Sequence, residues 1–324
     1  MITPRLFLKR AIPFATGIGI WFLPIPAGLT AQSWHLFAVF VAAIVCVLIN
    51  SFPLLTASVI AVAAVVLTQT ITPAQAFSGF ANASVLLVVV AFIVAQGVVK
   101  SGLGRRISLI IVSRFGGSPI GLAYSLVFTD AMIAPAFPSN TARGGVLFPI
   151  VLSIAKGAGS EPDSPEGRRL GGYLMFCTMA GLAVSSALWL TATSANPIGV
   201  QIAEKAGFQI NFFNWFIHSS VPTLAAMLVL PWLVSKLFPP GVGATPEAPI
   251  AARRDLSGMG SMSRDEWITA STFFGMVLGW VFGSSLNLNG TAIAFLGLGV
   301  LLATGVLTLE DISKQGDTLV TFIW

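Results

Sequence analysis

The chain has 324 residues, of which 55% are hydrophobic and only 9% charged, against about 25% charged in an ordinary soluble domain. Most of it therefore does not face water. Seventeen Lys and Arg against twelve Asp and Glu give a formal charge of +5, but the basic residues sit in short clusters between long apolar runs. That is the pattern of a polytopic membrane protein, not of a nucleic-acid binder. Cys46 and Cys177 both lie within apolar runs, which excludes a disulfide framework and a Cys/His metal site.

A spanning helix needs about 20 mostly apolar residues. In chain order the candidates fall near 10–25, 33–51, 53–71, 83–101, 170–207, 212–236, 267–286 and 289–308. The first follows Arg5, Lys9 and Arg10, has no small-residue cleavage site, and leads straight into the next span. It reads as a retained helix and not a signal peptide, so residues 1–31 form an N-terminal transmembrane helix. Residues 118–158 are apolar enough for two short helices but are interrupted at Pro135, Pro138, Ser139, Asn140 and Thr141. Each arm is too short to cross comfortably, so this segment is expected to be a helical hairpin that enters the membrane and turns back.

With a cytoplasmic N-terminus and a re-entrant hairpin, nearly all the basic residues outside the hairpin fall on the cytoplasmic side, as the positive-inside rule requires. Lys205 is the exception, and a residue near Pro165 should face the cytoplasm. Trp21, Trp34 and Trp215 lie near the outer boundaries and Trp232 and Trp267 near the inner ones, where an aromatic belt belongs. Residues 237–266, rich in Pro and Gly with mixed charges, read as a cytoplasmic linker.

The stretch Leu67 to Ala76 resembles Ala303 to Ile312 at an offset of 236 residues. Each follows an apolar span, and on the topology above they lie on opposite sides of the membrane, as an inverted repeat demands. Residues 32–236 then form a first repeat and 267–324 the start of a second. The third helix of that second repeat begins at Asp317-Thr318-Leu319 and stops at Trp324, so the chain reads as a fragment of one of about 470 residues, inverted halves being of similar length.

Charges within the membrane are costly and mark function by default; Asp130 and Arg143 are the two candidates. Arg143 is either a cation beside an anionic substrate or a side chain snorkelling or paired with backbone carbonyls at the hairpin tip. Asp130, about 13 Å down the first arm from Ser139 at 1.5 Å per residue, fits structural hydrogen bonding better than contact with an anion. At the tip, Ser139, Asn140 and Thr141 supply hydroxyl and amide groups where the second arm begins. A helix start exposes free N–H groups and partial positive charge, which suits a carboxylate; a plain N-cap is the other reading. The fifth apolar run breaks at Thr191 to Pro197, where Pro197 is expected to free the carbonyl near Thr193 for a cation or a substrate. A broken helix beside a hairpin tip is the pairing that transporter sites use. No nucleophile and base arrangement appears, and no embedded Glu, Lys and His chain of the kind a proton pump needs, so the chain is read as a non-enzyme.

The segment Pro138-Ser139-Asn140-Thr141-Ala142-Arg143, followed by Gly144-Gly145-Val146-Leu147-Phe148-Pro149-Ile150, resembles the first Ser-Asn-Thr signature of the divalent-anion/sodium symporter family. The likeness is closest to its branch of citrate, tartrate and 2-oxoglutarate/malate translocators. Ala195-Asn196-Pro197, Gly102 to Ile107 and Met262-Ser263-Arg264 resemble the same branch. The resemblance implies an all-α, inverted-repeat elevator transporter of the cell membrane, homodimeric, that moves di- or tricarboxylates. Carried over, it places Asn140 and Thr141 on the substrate carboxylate. It makes Ser139 and Asn140, with Thr193, Ser194 and Asn196, a first cation site, with Na+ as the candidate coupling ion and no other cofactor. Where sodium-coupled members carry a Gly-Thr-Pro-Pro-Asn-like loop, this chain has Ala192-Thr193-Ser194-Ala195-Asn196, which points to anion exchange. Sodium-coupled symport and a non-transporting membrane subunit are the alternatives.

Overall fold

The computed structural model describes residues 4–157, 160, 168–283, 285–314 and 316–323; Pro165 lies outside them. Its regular structure among these residues is helical, as a chain this apolar requires, because a helix satisfies its own backbone without water. In chain order the helices are α1 (Pro4–Trp21), α2 (Ala31–Leu48), α3 (Leu54–Leu67), α4 (Pro73–Phe77), α5 (Ala83–Ser101), α6 (Leu103–Phe115), α7 (Pro119–Ile133) and α8 (Asn140–Gly157). They continue as α9 (Arg168–Ser185), α10 (Ala195–Lys205), α11 (Phe212–Leu237), α12 (Glu247–Gly258), α13 (Arg264–Phe282), α14 (Gly290–Ala303), α15 (Leu309–Ser313) and α16 (Gly316–Ile323). Among the described residues, α2, α5, α11 and the stretch Pro119–Ala136 are long and apolar enough to cross a membrane.

By packing, the chain divides into two units, Met1–Val89 with Gln315–Trp324, and Val90–Lys314. In the first, α2 packs against both α1 and α3, and α16 lies on α3. Pro13 sits inside α1, so it withholds the N–H that the Lys9 carbonyl would accept. The Ser51 hydroxyl supplies that bond instead, at 2.9 Å. At the far end of α1 the Trp21 ring stacks on His35 at 3.9 Å, and Trp34 Nε1 donates to the Ile20 carbonyl at 2.9 Å.

In the second unit, α7 lies between α6, α8, α9 and α11, with ten of its fifteen residues buried. The contact with α9 is close because Gly181 faces Val127, where a Cβ would approach Val127 Cγ2 to 2.9 Å. The segment expected to be a plain linker contains α12, which packs along α6. Two buried alanines, Ala248 and Ala252, join the core of Leu109, Val112, Leu122 and Leu126. The Thr245 hydroxyl ties the start of α12 to the Gly116 carbonyl at 2.8 Å. Its apolar face was hidden from a composition-based reading by the Pro, Gly and charge around it.

Arg106 clamps the end of this segment. Its Nε and Nη2 donate to Glu266 Oε1 and Oε2 at 2.5 and 3.0 Å, and Nη1 donates to the Gly260 carbonyl at 2.9 Å. Glu266 also accepts from the Ser263 N–H at 2.7 Å while the Ser263 hydroxyl caps α13.

The two stretches matched at an offset of 236 residues have the same local conformation. Both α3 and α14 have 14 residues. Each ends on a Thr, Thr68 or Thr304, whose hydroxyl donates 2.7 Å back to the carbonyl four residues earlier. Gln69 and Gly305 follow with positive φ of 55° and 78°. Thr72 and Thr308 then open five-residue helices, each through a reciprocal capping box.

Candidate functional site

The hairpin turn is local chemistry. After α7 the chain makes one 3-10 turn over Ala134–Ala136, and Phe137 becomes extended at φ −122° and ψ 100°. That is the conformation a residue preceding proline prefers. Ser139 then caps α8, its hydroxyl accepting from the Ala142 N–H at 3.3 Å. The arms have 15 and 18 residues. Phe137 and Pro138 are buried, Ser139 is half-buried, and Asn140 and Thr141 are exposed.

The second break begins earlier than expected. Helix α9 ends at Ser185, and the chain is non-helical until Ala195. Pro197 does not interrupt a helix; it is the third residue of α10, where an N–H has no intrahelical partner in any case. The Thr193 carbonyl accordingly accepts from the Asn196 N–H at 3.2 Å and is not freed by the proline.

The two breaks meet. The Ser194 N–H donates to the Pro138 carbonyl at 3.2 Å, and the Thr191 hydroxyl donates to the Pro135 carbonyl at 2.9 Å. Trp189 Nε1 donates to the Ala131 carbonyl at 2.9 Å. Asn196 Nδ2 folds back on the Ser186 and Trp189 carbonyls at 2.8 and 3.1 Å. The first turns of α8 and α10, with their positive dipole ends, are thereby held side by side.

Beneath the turn lies a polar network. Arg143 and Asp130 are 0% and 1% exposed, with Nη1 donating to Asp130 Oδ2 at 2.9 Å. Nη1 also reaches Ser185 Oγ at 2.8 Å, and Ser185 in turn donates to Asp130. Arg143 Nη2 donates to Asn140 Oδ1 and Ser186 Oγ, both at 2.6 Å, and to the Leu182 carbonyl at 3.2 Å. Ser186 lies 2.6 Å from both Asn140 Oδ1 and the Leu182 carbonyl. An isolated buried charge is untenable, and here pairing plus several hydrogen bonds offsets the desolvation.

All the residues singled out from the sequence thus belong to one locus. Ser139, Asn140 and Thr141 form the tip, and Thr193, Ser194 and Asn196 form the facing break. Arg143 lies under them, paired with the buried Asp130. The Arg143 guanidinium turns to side chains of three elements, only one of its partners being a carbonyl. Ser185 and Ser186 were missed. Their signal was present as a pair of hydroxyls at the last helical turn before a break, but the break itself had been placed farther along.

The sequence model of a family described as the sodium:sulfate symporter transmembrane region matches residues 5–324. The chain is 39% identical over 315 residues to "Putative malate transporter YflS" of Bacillus subtilis (strain 168), covering 97% of this chain and 66% of that protein. It is 39% identical over 312 residues to "Dicarboxylate transporter 1, chloroplastic" of Arabidopsis thaliana, covering 96% and 56%. With "Citrate/succinate antiporter" of Escherichia coli (strain K12) it shares 35% over 331 residues, covering 94% and 67%. The chain therefore spans roughly half to two thirds of the length of these relatives. On the strength of the match along almost its whole length, the chain belongs to the sodium:sulfate symporter family of membrane transport proteins.

Proposed function

We propose that the chain binds di- or tricarboxylates, of the class of malate, 2-oxoglutarate, succinate, citrate or tartrate, and takes part in moving them across a membrane by anion exchange. The observation that carries this reading is the meeting of two helix starts, α8 at Asn140 and α10 at Ala195, held together by the Ser194 to Pro138 hydrogen bond. Two adjacent positive helix ends suit a carboxylate. The relatives' names fit the same substrate class. Among the described residues the Thr141 and Thr193 hydroxyls make no hydrogen bond, so both are available to a ligand.

Exchange is preferred to sodium coupling because Asn140 Oδ1, one of the candidate cation ligands, already accepts from the Arg143 guanidinium. Sodium-coupled symport is the second reading, favoured by the family description. The matched conformations of 68–77 and 304–313 support an internal repeat, and the buried first arm and the buried turn at Pro135 to Pro138 support re-entry, since non-helical backbone at membrane depth must be covered by protein or line a cavity. An elevator movement of the hairpin and broken helix follows from that architecture.

Labelled 2-oxoglutarate uptake into liposomes carrying the protein tests the proposal. Uptake should require unlabelled malate inside and be indifferent to replacing Na+ by choline. Uptake that needs a sodium gradient and no internal anion would establish symport instead.

A further inference from the structure

The unit of Met1–Val89 with Gln315–Trp324 is unbalanced in charge. It carries Arg5, Lys9 and Arg10, yet the chain has no Asp or Glu before Asp130, and Asp317 is the one acid in the unit. Arg10 lays its guanidinium over the Phe52 ring, 4.9 Å from the centroid. Its Nε is buried without a hydrogen-bond partner, and no ion pair among the described residues involves Lys9 or Arg10.

Next to this cation runs a groove of about 450 Å3 between α1, α2 and α3, within the roughly 300–1,000 Å3 of clefts that hold small molecules. Phe14, Gly17, Ala43, Phe52 and Ala61 line it. Its walls are almost wholly carbon, hollowed by Ala and Gly on the facing helices, and the Phe14 and Ile18 rims are 47% and 60% exposed. A cation without a counter-ion at one end of an apolar groove matches one molecule by both shape and charge.

We propose that this groove is a binding site for an anionic phospholipid, with an acyl chain lying along Phe14, Gly17 and Ala61 and the phosphate held by Arg10, Lys9 adding attraction from the rim. The guanidinium fork suits a phosphate, and its stacking on Phe52 fixes its plane. Basic sites between spanning helices recognise anionic headgroups in this way. Each such cation near a membrane surface is worth about fivefold in lipid affinity. The groove shares no residue with the hairpin locus, and the proposal does not depend on the transport reading.

Native mass spectrometry of the purified chain in non-ionic detergent tests it, with dioleoylphosphatidylglycerol and dioleoylphosphatidylcholine supplied separately. The glycerol lipid should be retained about fivefold or more over the choline lipid, and an excess of glycerol phosphate, which has no chain, should not displace it. R10Q should cut the preference about fivefold, whereas K236Q should keep it. Filling the groove with A61W, or with A43F should A61W fail to fold, should remove the retained lipid while Arg10 is intact. Equal retention by the unaltered chain, a preference undiminished in R10Q, displacement by glycerol phosphate, or retention surviving a filled groove would each overturn the proposal; the last would mean surface attraction alone.

Discussion

Arg143 Nη2 lies 2.6 Å from Asn140 Oδ1, so the first residue of the second hairpin arm is oriented by a guanidinium one turn farther along the same helix. That guanidinium is in turn fixed by Asp130 on the other arm and by Ser185 and Ser186 at the end of α9. Three pieces of chain far apart in sequence thereby set the attitude of one amide at the tip.

Arg143→Met should destabilise the protein by about 3–5 kcal/mol, because it leaves Asp130 buried and unpaired. The double variant Arg143→Met with Asp130→Leu should recover a substantial part of that loss, since no lone charge then remains. Thermal unfolding in detergent measures both; a double variant as unstable as the sum of its singles would show that the pair is not coupled.

Thr141→Ala removes a hydroxyl with no protein partner, so its melting temperature should match the parent while carboxylate binding weakens. A hydrogen bond to a charged group contributes about 1.5–3 kcal/mol, or about 10- to 150-fold in affinity. Asn140→Ala should weaken binding and also lower stability, because Arg143 and Ser186 lose their shared acceptor. Titration with malate and 2-oxoglutarate separates the two effects, and unchanged affinity in Thr141→Ala would reduce the tip to a cap.

The carboxyl of Glu266 is held below the ordinary glutamate range, chiefly by its hydrogen bonds from Arg106 and also by the Ser263 N–H, against an opposing desolvation. A depressed folded-state value means that its contribution is complete above about pH 4.5 and is lost as pH falls through and below that range. Glu266→Gln should therefore lower the unfolding temperature at pH 7, and the gap to the parent should close as pH falls below about 4. A gap independent of pH would assign the effect to packing.

Cysteines at two exposed positions test the expected topology. A thiol in place of Glu247, at the start of α12, should react with an impermeant reagent only from the cytoplasmic side, and one in place of Lys205 only from outside. Labelling of both from one side would mean that α11, which lies between them, does not cross the membrane.

What the sequence determined by itself was whatever depends on neighbours in the chain. Apolar runs marked α2, α5 and α11, Pro135 and Pro138 marked the hairpin turn, and Ser139 to Thr141 marked the start of its second arm. Each of these follows from hydropathy or from backbone restrictions that act over a few residues. The likeness at an offset of 236 could be read too, because its Thr caps and the reversal at Gln69 and Gly305 are local. Only the tertiary structure decided that Asp130 pairs with Arg143 and that Ser185 and Ser186 complete the network. It also decided that α12 lies on α6 and that Pro197 opens a helix instead of breaking one. The Asp130–Arg143 pair joins two arms of the hairpin 13 positions apart, and the Ser185, Ser186 and α12 contacts join residues 42 to 129 positions apart; all of them depend on how helices pack. A buried charge takes the partner that packing brings within reach, and no local pattern of residues names that partner in advance.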